Sequence, residues 1–207
     1  MSQYPKEPTQ FKECFYQPEW YDRDFFYSAD GIREFPDHHC KMTWLKSLPY
    51  IQNSRNAIDI GCRDGEYTRY LMNHFEHVYC FDPRTRPYFP YNVDTSRVTH
   101  WGVPVGDVAH SERIGKKAGK LAAADFYRLD DFGFKHIDYI KIDTDGYELA
   151  VLKGAHELIT RDWPVIVLEV FFEQGTLKYI TEELGYTIKA VCDRGWDHVM
   201  VKENKNV

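Results

Sequence analysis

The chain has 207 residues, 43% of them hydrophobic, with 26 Lys and Arg against 32 Asp and Glu for a net charge of −6. That size and apolar content support one domain with its own core and exclude a disordered chain, while the acidic balance disfavours a nucleic-acid partner. Five scattered cysteines without a C-x-x-C pair exclude a disulfide framework and a zinc knuckle, and fit a reducing cytoplasm.

The N-terminus "MSQYPKEPTQ" lacks the basic start and apolar block of a signal peptide, and no apolar run reaches the ~18 residues of a membrane span. Residues 1–50 read as an aromatic arm followed by one helix. Eight of the 17 residues from Phe11 to Tyr27 are aromatic, and no regular element is assigned to them. They suit either a substrate lid or an arm packed over an apolar sheet edge. The helix is placed at about Asp37 to Leu48, with Asp37 as its N-cap after Pro36. From residue 51 to 207 strands and helices alternate. "AIDIG", "HVYCFD", "RVTHWG", "HIDYIKID" and "WPVIVLEVFF" read as strands. "EYTRYLMNHF", "GYELAVLKGAHELI" and "LKYITEELG" read as helices, the last ending at Gly185. "YTIKAVCDRGWDHVMVKE" reads as a hairpin. The expected fold is α/β, Rossmann-like: a mostly parallel sheet, helices on both faces, and an antiparallel edge from the terminal hairpin.

In such sheets ligands bind outside the carboxyl ends of the strands. The first turn reads "AIDIGCRDGEYT". Gly61 and Gly65 frame it, but Arg63 stands where a dinucleotide fingerprint needs a second glycine, and no Walker A sequence follows. Asp59 is placed to hold the turn or to meet a ligand ammonium. Asp82, ending the second strand, suits a ribose diol. A ligand with a ribose and an amino group but no pyrophosphate describes S-adenosylmethionine. Thr68, at the next helix start, joins the cofactor-binding set. Trp101, ending the third strand, is either an adenine-stacking ring or core. Cys62 reads as a small loop residue rather than a nucleophile. The stretch "KIDTDGYELAVLKGA" cannot be a calcium loop, because the glycine falls at position four from Asp143 instead of six.

"AIDIGCRDGEYT", "VYCFDP", "RLDDFGF…IDYIKIDTDGYELAVLKGA" and "VIVLEV" resemble, in order and spacing, FkbM-type S-adenosylmethionine-dependent methyltransferases. The resemblance covers about Asn56 to Val170. It implies the seven-stranded class I methyltransferase fold and O-methylation of small molecules or sugars. By position it implies Asp59, Gly61, Cys62, Arg63 and Gly65 in the cofactor loop, Asp82 on the ribose, and Asp143 beside the methionine end. The chain departs from the pattern at Arg63 (often Asn), Asp82 (more often Glu) and Asp145 (usually Glu).

Asp143, Asp145 and Glu169 are the candidate catalytic residues. They could hold a divalent ion near the acceptor hydroxyl. The metal-free arrangement is favoured, since no second Asp or Asn follows Glu169: Asp143 meets the cofactor ammonium, Asp145 braces the loop, and Glu169 or a histidine serves as base. His38, His39 and Cys40 do not read as a metal cluster, because neighbours on a helix point about 100° apart. The loop "SERIGKKAGK" reads as solvated. The expected partner is a small molecule with a hydroxyl, without membrane or nucleic acid, and S-adenosylhomocysteine is the by-product. The oligomeric state has no signal in the sequence.

Overall fold

The computed structural model describes residues 4–35, 38–84, 87–107, 111–113, 123–170 and 175–203. The aromatic segment does contain regular elements: helix α1 (Pro18–Asp22) and a hairpin of β1 (Phe25–Ser28) and β2 (Gly31–Glu34). Its signal was the pair Asp30-Gly31, with Gly31 at φ +91°; Asp-Gly between two short runs favours a hairpin turn. Helix α2 (His39–Ser47) follows, capped by His38, whose ring accepts from the Cys40 amide. Asp37, the expected cap, lies outside the described residues.

The remaining elements are β3 (Asn56–Ile60), α3 (Thr68–Met72), β4 (His77–Phe81), α4 (Phe89–Asn92) and β5 (Val98–Trp101). Then come a short antiparallel pair, β6 (Ser111–Arg113) and β7 (Ala123–Asp125), and β8 (Ile137–Ile142). The chain continues through α5 (Glu148–Gly154), α6 (His156–Asp162), β9 (Val165–Glu169), α7 (Thr176–Lys178), β10 (Thr187–Cys192) and β11 (Asp197–Val201). One seven-stranded sheet has the order β10-β11-β9-β8-β3-β4-β5. Strands β5, β4, β3, β8 and β9 run parallel. The terminal hairpin forms at one edge of the sheet and pairs antiparallel, as expected. Its second strand, β11, inserts antiparallel between β9 and β10. Four of the five β11 residues are buried while β10 is half-exposed, so the better-buried strand takes the interior position.

The long helix expected after β8 is two helices. Ala155 leaves the helical region at φ −115°, and the Asp130 carboxylate accepts from the Glu157 and Leu158 amides at the start of α6. Gly154 lies against the Gly106 carbonyl, 1.9 Å from where a Cβ would stand, so the chain bends where two backbones touch. The last helix changes at Tyr179–Glu183 to a π turn before Gly185, which has φ +70°.

Strand register decides which side chains face the site. Asp59 lies opposite Cys80 and Lys141, Lys141 opposite Val167, and Glu169 opposite Asp197. Directly opposed residues share a face, so these polar groups all face the layer of α2 and α3. That layer packs Trp44, Tyr67, Leu71 and Phe75 against Tyr139 and Val167. Helix α2 is also tied down by polar bonds: Thr43 donates to Asp197 at 2.6 Å and the Tyr139 hydroxyl donates to Ser47 at 2.8 Å. The other face carries Ile58, Phe81, Trp101, Ile140 and Leu168 under α5 and α6.

The arm covers the β5 edge of the sheet. The Thr9 amide donates to the His100 carbonyl, the Trp101 indole N–H donates to the Lys6 carbonyl, and Phe11 stacks on Phe89. Asn92 bonds the Tyr27 amide and carbonyl as a strand neighbour would. An uncovered edge strand exposes both apolar surface and unpaired backbone. Deleting residues 1–16 is expected to lower Tm by about 5–10 °C, as a loss of a few kcal/mol does in a domain of this size. Thermal unfolding by circular dichroism checks this, and an unchanged Tm would mean that the arm adds no stability.

Candidate active site

The strand order reverses between β3 and β8, and the cleft lies beyond their carboxyl ends. His38, His39, Cys40, Asp59, Gly61, Cys62, Arg63, Glu66, Tyr67, Lys141 and Asp143 line it. Its cavity volume is about 190 Å³, room for part of a ligand rather than for a whole drug-sized molecule, whose sites run ~300–1,000 Å³.

The loop after β3 needs three left-handed residues, Gly61 at φ +82°, Arg63 at +49° and Gly65 at +91°. A Cβ on Gly61 would stand 1.7 Å from the Asp143 carbonyl oxygen, so this loop crosses the end of β8 in backbone contact. Asp82 is buried and accepts the amides of Arg63 at 3.1 Å and Arg84 at 2.7 Å, fixing the turn from the β4 side. Asp59 accepts from the Thr68 hydroxyl at 2.6 Å, and burial pushes its carboxyl up to about 7. Asp59 therefore holds the helix start while lining the cleft. Gly65, Thr68 and Asp82 support the loop from behind and do not line the cleft.

The loop after β8 is braced by Glu148, not by Asp145. The Glu148 carboxylate accepts from the Thr144 amide, the Thr144 hydroxyl and the Gly146 amide, at 3.1, 2.8 and 3.0 Å. Asp145 is exposed at φ +54°, because three donors already converge on the longer, buried acid. Asp143 lies 3.4 Å from the Lys141 ammonium. Burial opposes its charge, but Lys141, the hydrogen bond from Glu169 and Arg63 together hold its carboxyl below the usual range. Glu169 is pushed up to about 8 by burial and by Asp143. At neutral pH the pair is thus an acid donating to a carboxylate. One oxygen each from Asp143, Asp145 and Glu169 falls within 4.8 Å of the others. Lys141 is buried, 5.5 Å from the Tyr67 ring centroid; burial disfavours its charge, but Asp143 and Asp197 overcome this and raise its pKa.

Two readings change with the tertiary structure. Trp101 does not face the cleft: it is fully buried on the α5 and α6 side, stacked 5.0 Å from Phe81. It lies opposite Phe81 in the register, one residue out of phase with the polar face. His38 and His39 are not splayed, since His38 has ψ 136° and stands outside the helix. Their rings are 4.3 Å apart, and ligand atoms of His38, His39 and Cys40 fall within 4.8 Å of one another. Burial lowers His38 to about 4 and raises the Cys40 thiol. Residues 114–120 of the Lys-rich loop lie outside the described residues.

Sequence reading missed Lys141, Glu66 and Tyr67 as cleft residues and Glu148 as the brace. Lys141 had a signal, a lone cation inside the apolar strand "YIKI". Tyr67 had none, because its helical spacing looked like core.

The family described as "Methyltransferase FkbM domain" matches residues 49–195. The chain belongs to the FkbM methyltransferase family. Methyltransferase FkbM from Methylobacillus flagellatus KT shares 23% identity and a TM-score of 0.54, over 72% of this chain and 43% of that one. The chain thus spans less than half the length of that relative. A ribosomal protein L11 methylase from Lactobacillus delbrueckii subsp. bulgaricus gives a TM-score of 0.55 at 10% identity, covering 82% of this chain and 81% of that one. An rRNA methylase from Streptococcus thermophilus gives 0.53 at 9%, covering 83% and 99%. These likenesses show the class I methyltransferase fold. No curated protein matches the chain. Among the described residues, no helix is long and apolar enough to cross a membrane.

Proposed function

We propose that this FkbM methyltransferase uses S-adenosylmethionine to methylate a hydroxyl of a small molecule or sugar. The supporting observation is the pairing of Arg63 and Asp143 on one small cleft at the strand-order reversal. A guanidinium and a carboxylate there complement the carboxylate and ammonium of an amino-acid ligand. The donor set therefore fits the methionine end. Backbone of residues 61–65 would hold the ribose, and Asp82, which accepts the Arg63 and Arg84 amides from behind that loop, would set its position. When bound, the sulfonium supplies an electrophilic methyl group. The chain's own part is to align the acceptor and take its proton. Glu169, beside Asp143, is the base in this reading. Residues 51–207 would carry the transfer machinery. Asp24, Phe26 and Phe35, within residues 1–50, stand next to His38 and Glu66 at the edge of the cleft, and in this reading residues 1–50 wall the acceptor side. The net charge of −6 disfavours an RNA acceptor.

Titration calorimetry with S-adenosylhomocysteine tests the cofactor assignment. Asp82→Ala is expected to weaken binding by about 10–100-fold, because a charged hydrogen-bond acceptor is lost at ~1.5–3 kcal/mol. Asp82→Glu, which keeps the charge, should recover part of it. Unchanged affinity in a folded Asp82→Ala protein would remove this role in positioning the loop, and no binding by the parent would remove the cofactor.

A further inference from the structure

We propose that His38, His39 and Cys40 form a zinc site at the mouth of the cleft, with three protein ligands and one open position. The three residues are consecutive, and on an ideal helix their side chains would diverge. They converge because His38 is the cap of α2, with extended ψ, so its ring folds back beside that of His39. One ligand atom from each lies within 4.8 Å of the other two. Small side-chain rotations bring such a set to zinc bonding distances of about 2.0–2.3 Å.

The donor chemistry is specific. Two imidazoles and a thiolate suit Zn²⁺, and they exclude Mg²⁺ and Ca²⁺, which take oxygen ligands. Cys40 is buried, so its sulfur is held in place by packing, while His39 is exposed and free to turn toward the ion. The His38 ring nitrogen now accepts from the Cys40 amide at 3.3 Å, a long bond that the ion replaces. On binding, the Cys40 thiol gives one proton to solvent and its sulfur lone pair forms the Zn–S bond, with no change of oxidation state. All three residues line the cleft that also holds Arg63, Lys141 and Asp143. Three protein ligands with an open fourth position are the pattern of catalytic rather than structural zinc. The open position would take an oxygen or sulfur of the molecule in the cleft. That role rests on the methyl-transfer reading; the site itself does not.

The test uses the full chain and the metal alone. Zinc is titrated against a chromophoric chelator, and Co²⁺ is substituted as a spectroscopic probe. The expected result is one ion per chain, a thiolate-to-cobalt charge-transfer band, and uptake of zinc with release of a proton. Cys40→Ser should lose the band. His39→Ala, at an exposed position outside the core, should keep the fold and lower zinc affinity by about 100-fold or more, since even outer partners of a ligand are worth 10–100-fold. Zinc affinity equal to the parent's in both variants, or no charge-transfer band, would overturn the site. An ion that instead follows Asp143→Asn would move it to the carboxylates. Calorimetry with S-adenosylhomocysteine on the same samples separates the two ideas: cofactor binding without zinc sinks only the metal site, and zinc without cofactor binding sinks only the cofactor reading.

Discussion

Glu169→Gln is expected to lower kcat by about 100-fold or more and to flatten its dependence on pH. A positioned general base contributes about 10²–10⁴-fold, and an amide cannot accept the acceptor's proton. The parent rate should rise with pH and level off above about 8, where burial and the Asp143 carboxylate place the Glu169 proton. Stability moves in the opposite direction. The folded pKa is raised above the ordinary 4.5, so the native state binds a proton that the unfolded chain has released over that window. The contribution is fully present below about pH 4.5 and is lost as pH climbs through about 8. Glu169→Gln should therefore show a flatter Tm between those limits. The decisive measurements are the kcat–pH profile and Tm–pH curves of both proteins. A variant with parental kcat and the same rise through pH 8 would show that another group takes the proton.

Gly61→Ala is expected to cost about 2–5 kcal/mol, combining ~1–2 for a side chain in the left-handed region with ~1–3 for the forced overlap. The added carbon would meet the Asp143 carbonyl at 1.7 Å, so β3 and β8 must separate where the cleft begins. In a domain of this size that is a Tm loss of about 5–15 °C. Cofactor affinity should fall with it, because the moved backbone carries both Arg63 and Asp143. Gly146→Ala is the comparison: its φ is +111°, but a Cβ there meets nothing within 4 Å. It should be milder. Equal Tm losses for the two would show that backbone strain, rather than the contact with β8, sets the cost.

The sequence by itself determined the alternation of strands and helices, the place of the loop after β3, and the family. The first two depend on local properties: apolar runs of strand length, four-residue spacing in "EYTRYLMNHF", and glycines where the chain must turn sharply; the family rests on the resemblance of motifs such as "KIDTDGYELAVLKGA". Asp59, Gly61, Cys62, Arg63 and Asp143 were legible for the same reason, since a parallel sheet puts the end of every strand at one edge. Only the tertiary structure decided what depends on register and distant contact. Trp101 and His100 are adjacent in sequence, yet strand alternation sends them to opposite faces, and only the pairing with β4 says which face is which. The break at Ala155 depends on Gly106 and Asp130, far back in the chain. Lys141 stays charged in a buried strand because Asp143, two residues on, and Asp197, brought in by the distant strand β11, both stand near it. His38, His39 and Cys40 meet because the helix begins one residue later than its sequence suggested, and a cap residue obeys the geometry of the turn, not that of the helix.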